Sequence, residues 1–213
     1  MYFEYDEVST DYLKSKDKIL GKAIERIGKI ERPVQGDLFE SLVNSIVGQQ
    51  ISTAAHRTIW KRMTDCYGAV TPEKICATEL NDLQKFGMSF RKADYILDNS
   101  QKILAGEFDI HSLHHKSDKE IIKELSDLKG IGVWTAEMLM IFSMQRQDIL
   151  SYGDLAILRG MRLLYRHRKI DRKLFEKYRR RYSPYGSVAS LYLWAIGGGA
   201  FPELKDPAPK NKK

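Results

Sequence analysis

The apolar positions of the chain fall almost everywhere at helical spacing. Phe39, Leu42, Val43, Ile46 and Val47 recur at steps of 3, 1, 3 and 1, which predicts an amphipathic helix with one buried face. Leu155, Leu158 and Met161 make a second stripe, and Ile96, Ile103 and Leu104 a third. Two segments, Val133–Phe142 and Val188–Ile196, are apolar nearly all round and predict central, buried helices. No stretch alternates with a period of two beyond the first few residues, and no repeat of solenoid length is present. The fold class expected is therefore all-α. The breaks are short: Pro33–Gly36, Gly68 with Pro72, and Gly87. His111–Asp118 is a polar linker, with Asp118 placed to cap the next helix. Its histidines lack a matching carboxylate or thiolate set, so a solvated loop is expected there rather than a metal site.

Composition narrows the picture. Hydrophobic residues make up 43% of 213, enough for a real core. Lys and Arg number 35 against 28 Asp and Glu, a net charge of +7 that suits a polyanionic partner but equally describes a merely basic protein. Two cysteines, Cys66 and Cys76, are too few for a disulfide framework or an iron–sulfur cluster, and reduced thiols are expected. No apolar run reaches the roughly 20 residues of a membrane span, and the N-terminus lacks a secretory pattern. Cytoplasmic (nucleoid-associated) or nuclear residence is the expectation.

Two local patterns carry chemistry. Leu128–Thr135 reads LKGIGVWT between two helical segments. Glycines at 130 and 132 permit positive φ and close approach to the backbone, Ile131 tucks inward, and the amides opening the next helix can face a phosphate. Lys129, Gly130, Gly132 and Thr135 are the candidate phosphate contacts. The bland alternative is a tight connection between two helices. Downstream, Asp154 stands where a loop becomes a helix, in SYGDLA. It suits an N-cap, and a capping position also fixes a carboxylate.

LKGIGVWTAEM followed by DILSYGDLAI resembles the helix–hairpin–helix DNA glycosylase superfamily, and within it the 3-methyladenine DNA glycosylase II (alkyladenine) type. Gly48–Ser52 (GQQIS) is similar to the wedge region of that superfamily, and the likeness runs from about Gly36 to Gly198. The resemblance implies base flipping from double-stranded DNA and hydrolysis of the glycosidic bond of an alkylated purine, with Asp154 as the catalytic carboxylate. It implies a base pocket of Trp134, Met138, Leu155 and Tyr185, each of which could instead be core, and Gln50 as the wedge. Trp194 is read as core. Bifunctional members carry a Schiff-base Lys where this chain has Trp134, so no lyase step is expected.

The resemblance requires no cofactor. It allows a structural Na⁺ or K⁺ on the main-chain carbonyls of Ser126, Leu128 and Ile131. It implies two helical lobes, 34–147 with the wedge turn and hairpin, and 1–33 plus 148–213 with a tail frayed from about 202. Neither an iron–sulfur cluster nor an extra N-terminal β domain is expected, and the chain should act as a monomer without a membrane. Two rival readings remain: a helix–hairpin–helix protein that binds DNA without catalysis, and a glycosylase for another lesion class.

Overall fold

The computed structural model describes residues 1–208 and is helical throughout. Twelve α-helices occur among the described residues: α1 (Glu7–Lys16), α2 (Lys18–Ile27), α3 (Leu38–Gly48), α4 (Thr53–Tyr67), α5 (Pro72–Cys76), α6 (Leu80–Lys85), α7 (Phe90–Leu104), α8 (Asp118–Ser126), α9 (Val133–Phe142), α10 (Leu155–Tyr165), α11 (Arg172–Tyr182) and α12 (Gly186–Gly197). The one β feature among them is an isolated bridge between Tyr2 and Pro33. No helix of the described residues is long and apolar enough to cross a membrane.

The chain divides into two compact units, Gln35–Leu139, and Met1–Val34 with Met140–Lys213. The second boundary falls inside α9 rather than at 147, because the last turn of that helix packs with the C-terminal segment: Phe142 stacks on Trp194 at 5.5 Å. Trp194 is thus half-buried rather than enclosed.

In the continuous unit, the stripe of α3 is buried as its spacing requires, with Leu42, Val43, Ile46 and Val47 fully inside. Leu104, counted in the stripe of α7, is 47% exposed; Ala93 and Ile96 carry the buried face instead. The polar linker contains a 3-10 turn, Ser112–His115. Ser117, not Asp118, caps α8, since Ser117 and Glu120 form a reciprocal capping box that leaves Asp118 as the first helical residue.

In the discontinuous unit, α10 crosses α12 at two glycines. A Cβ at Gly160 would overlap the Leu193 carbonyl oxygen, and one at Gly197 the Ala156 carbonyl oxygen. This crossing rotates α10 away from the expected stripe: Ile157, Gly160 and Met161 are buried, while Leu155 is 80% exposed. Asp17 ends α1 and opens α2, accepting from the Ile19 and Leu20 amides. Its second oxygen receives Tyr165 Oη at 2.9 Å and Arg181 at 2.6 Å, so one carboxylate joins four helices. Burial, with that carboxylate beside it, pushes the Tyr165 hydroxyl far above the usual phenol range.

The fraying expected from about 202 does not occur over 202–208. Phe201 joins the core of Ala23, Leu163 and Ile196, Leu204 packs against it, and Arg162 grips Asp206 through two hydrogen bonds of 3.0 and 2.7 Å. Residues 209–213 lie outside the described residues.

Candidate functional site

Asp154 is an N-cap. Its backbone is extended (φ −88°, ψ 110°), and Oδ1 accepts from the Ala156 and Ile157 amides at 2.9 and 3.0 Å. The side chain is 7% exposed. Two amide donors at the start of α10 hold the carboxylate in one orientation.

The segment leading to Asp154 is tied to α12 by short polar side chains. The Ile149 amide donates to Ser187 Oγ at 3.0 Å, and Ser190 Oγ donates to the Ile149 carbonyl at 3.0 Å. Asp148 accepts from the Gly186 amide at 3.1 Å and from Ser183 Oγ at 2.5 Å. Tyr185, at the N-cap of α12, makes no capping bond, so Asp148 supplies the anion from a distant segment. A Cβ at Gly186 would stand 2.9 Å from Asp148 Oδ1 and would push that carboxylate aside. Two apparently ordinary serines and an aspartate therefore place the loop that carries the carboxylate.

The hairpin lies in the continuous unit. Gly130 has φ +81°, and a Cβ there would sit 2.6 Å from the Tyr95 ring, so both conformation and space demand glycine. Gly132 needs no positive φ, contrary to the expectation for both glycines, and a Cβ on it would meet nothing. Its openness leaves the backbone accessible from outside. The Ala136 amide donates to the Gly132 carbonyl at 2.9 Å, so α9 opens at Gly132 and the amides of its first turn, Thr135 included, precede that bond. Lys129 is engaged within the protein: Nζ lies 2.7 Å from Asp98 and 4.0 Å from Asp94. The Lys129 ammonium holds the Asp98 carboxyl below the usual carboxylate range, and the pairing raises Lys129 in return.

Gln49 was not anticipated as a site residue. Its side chain donates to the Gly130 carbonyl at 2.7 Å across 81 residues of sequence. Its own carbonyl, with that of Val47, accepts Lys92 Nζ at the end of α3. Asn99 donates to the Lys129 carbonyl at 3.0 Å. Gln49 thereby links the GQQIS turn to the hairpin and anchors Gln50, which is exposed and held at φ +55°, a conformation uncommon outside glycine. The only hint in the sequence was the doubled Gln.

Trp134 and Met138, four apart, share one face of α9; Trp134 is 48% exposed and Met138 half-buried. Leu155 follows Asp154 directly and is open to solvent. Tyr185 packs edge-on against Tyr12 at 5.3 Å. It lines a cavity of about 440 Å³ with Glu4, Tyr5, Asp6, Ser9 and Gln147, and neither Asp154 nor Leu155 lines that cavity. No cluster of His, Cys, Asp or Glu among the described residues could hold a metal ion. Cys66 and Cys76 are free thiols.

A carboxylate anchored at a helix start, together with a glycine hairpin opening a second helix, is the arrangement shared by a known class. Residues 43–184 match the family model of the HhH-GPD superfamily base excision DNA repair proteins, and the chain belongs to that family. It is similar to the DNA-3-methyladenine glycosylase 1 of Schizosaccharomyces pombe, 32% identical over 73% of this chain and 71% of that protein. A crystal structure of a DNA-3-methyladenine glycosidase from Bacillus halodurans superposes with a TM-score of 0.87 at 35% identity, covering 96% of this chain and 95% of that one. The S. pombe 3-methyladenine DNA glycosylase, solved in complex with abasic DNA, gives 0.76 at 28% identity over 88% and 95%.

Proposed function

We propose that the protein is a monofunctional DNA glycosylase that removes alkylated purines, 3-methyladenine and 7-methylguanine, from double-stranded DNA. The observation that carries the reading is Asp154: a buried carboxylate fixed by two amides at the start of α10, in a chain of this family. As the N-glycosidic bond breaks, its electron pair leaves with the base and positive charge builds on the sugar. A pre-oriented carboxylate stabilises that charge without reorganising. Water then adds to the anomeric carbon and gives up a proton, which the carboxylate would take. Alkylation makes the base cationic and a good leaving group, so no strong acid is required. Exposed aromatic faces such as Trp134 suit that cation, at roughly 0.5–2 kcal/mol per ring.

The hairpin would hold a phosphate through backbone amides at Gly130, Gly132 and Thr135, because the charge of Lys129 is already engaged by Asp98. Gln50 would fill the space left by the flipped nucleotide. The carbonyls of Ser126, Leu128 and Ile131 would hold a monovalent cation: the intervening Lys129 and Gly130 carbonyls are taken by Asn99 and Gln49, the Leu128 carbonyl would share its oxygen with the Ile131 amide at 3.1 Å, and the buried Ser126 hydroxyl has no hydrogen-bond partner among the described residues. When bound, such an ion would add positive charge beside the phosphate. With Trp134 at the Schiff-base position, the DNA strand should remain uncut.

The test is release of free 3-methyladenine and 7-methylguanine from methylated duplex DNA, without added metal, by the wild type and Asp154→Asn. Asn caps a helix as well as Asp, so folding should be retained while release falls about 100-fold or more. Equal release would remove Asp154 from the mechanism. No release by the wild type, with DNA binding intact, would favour the binding-only alternative.

A further inference from the structure

The positive charge of this protein does not reside where the hairpin is. Residues 35–139 carry 12 Lys and Arg against 15 Asp and Glu, so the unit holding the hairpin and Gln50 is net acidic. The stretch 159–181 carries 11 against 2. Backbone amides can bind one phosphate, but the long-range attraction of DNA, and the counterion release that drives its binding, need net cationic surface.

Helix α11 sorts its cations into two sets. Arg172 and Arg179 pair with Glu176 at 3.1 and 2.6 Å, and Arg181 pairs with buried Asp17 while lying over the Tyr178 ring. These three serve the fold. Lys173, Lys177 and Arg180 are exposed, and none lies within ion-pair distance of a carboxylate among the described residues, although Arg180 adds to the field that lowers Glu176. They stand at i, i+4 and i+7, on the face opposite buried Phe175, Tyr178 and Tyr182, and span about 10 Å at 1.5 Å per residue. That length covers about three phosphate spacings at 3.4 Å of helix axis per charge on one strand. Just before the helix, Arg166, Arg168 and Lys169 are likewise exposed and unpaired among the described residues, with Arg166 ending α10 in a left-handed conformation.

We propose that the Lys173–Lys177–Arg180 stripe is a second contact to the DNA phosphate backbone, separate from the hairpin, and that it supplies much of the salt-dependent part of binding. The proposal rests on the reading of the chain as a DNA-repair glycosylase, but its test does not depend on catalysis. Binding to an undamaged duplex is measured against salt concentration for the wild type and for Lys173→Gln/Lys177→Gln/Arg180→Gln. The slope of log affinity against log salt becomes shallower by between about 2 and 3 in the triple variant. The charge-keeping variant Lys173→Arg/Lys177→Arg/Arg180→Lys retains the wild-type slope. So does Lys18→Gln/Lys22→Gln/Lys123→Gln, which removes the same net charge from exposed positions elsewhere.

A triple-Gln slope equal to the wild type overturns the stripe, and so does an equal drop in the Lys18/Lys22/Lys123 control, which would make net charge the cause. Absence of any wild-type binding overturns it as well. A shallower slope in a protein that releases no methylated base supports the stripe while sinking the glycosylase reading.

Discussion

The two compact units fix their candidate functional groups by different means. The continuous unit presents backbone: a glycine at φ +81°, an exposed Gln at φ +55°, and carbonyls tethered by the side-chain amides of Gln49 and Asn99. The discontinuous unit presents a charge, and sets it with close helix packing and serine ties. Conformation at single residues dominates in the first and space between helices in the second. A turn can lose a tether and keep its path, whereas a helix crossing without room for a methyl group must shift to accept one.

Substitutions can sharpen that contrast. Gly160→Ala should be the most damaging, since its Cβ has only the rigid Leu193 carbonyl to displace; a loss of about 1–3 kcal/mol or more is expected in denaturant unfolding. Equal stability would show that the crossing yields easily. Gly130→Ala should cost about 1–3 kcal/mol from its left-handed backbone and the Tyr95 contact. Its DNA affinity should fall as well, a loss that Gly160→Ala would not produce at temperatures where the protein stays folded. Gln49→Ala removes one tether, worth about 0.5–1.5 kcal/mol in stability. It should lower duplex affinity and base release more than that figure suggests, because both the hairpin and the Gln50 turn lose their link.

The smallest effect concerns Asp206, whose carboxyl is held down at about 2 by Arg162 against an ordinary 3.8. A carboxyl depressed by folding stabilises above its ordinary pKa, and that contribution disappears as pH falls from about 4 to about 2. Asp206→Asn should therefore lower the melting temperature slightly at pH 7 and flatten its decline over that acid interval. An unchanged acid profile would mean that the tail contributes nothing through this pair.

Periodicity made most of the helices legible, and the buried face of α3 follows its spacing residue by residue. Where the reading of α10 went astray, the cause was tertiary: a glycine crossing selects Ile157 and Met161 over the equally apolar Leu155. The capping box at Ser117 is written in the sequence as S-x-x-E, and it outcompetes the neighbouring Asp118 because Glu120 returns a bond to the Ser117 amide. The concentration of cations in 159–181 could also be counted from the sequence, yet a single net charge conceals it. Gln49 and Asp148 were not legible, since their partners lie 81 and 38 residues away and no local pattern announces such a bond.

The junction at Asp17 has a consequence for the order in which the chain is made. The first two helices emerge from the ribosome early, but Tyr165, the first of the two distant donors to that carboxylate, follows 148 residues later and Arg181 later still. At about 5–20 residues per second this is a wait of roughly 7–30 s. During it Gln35–Leu139 can fold as one uninterrupted stretch, while the N-terminal helices keep their apolar faces uncovered until the rest of their own unit arrives. Synthesis therefore completes the unit with the hairpin before the unit with the carboxylate, and a chain stopped between the two would hold the hairpin without Asp154.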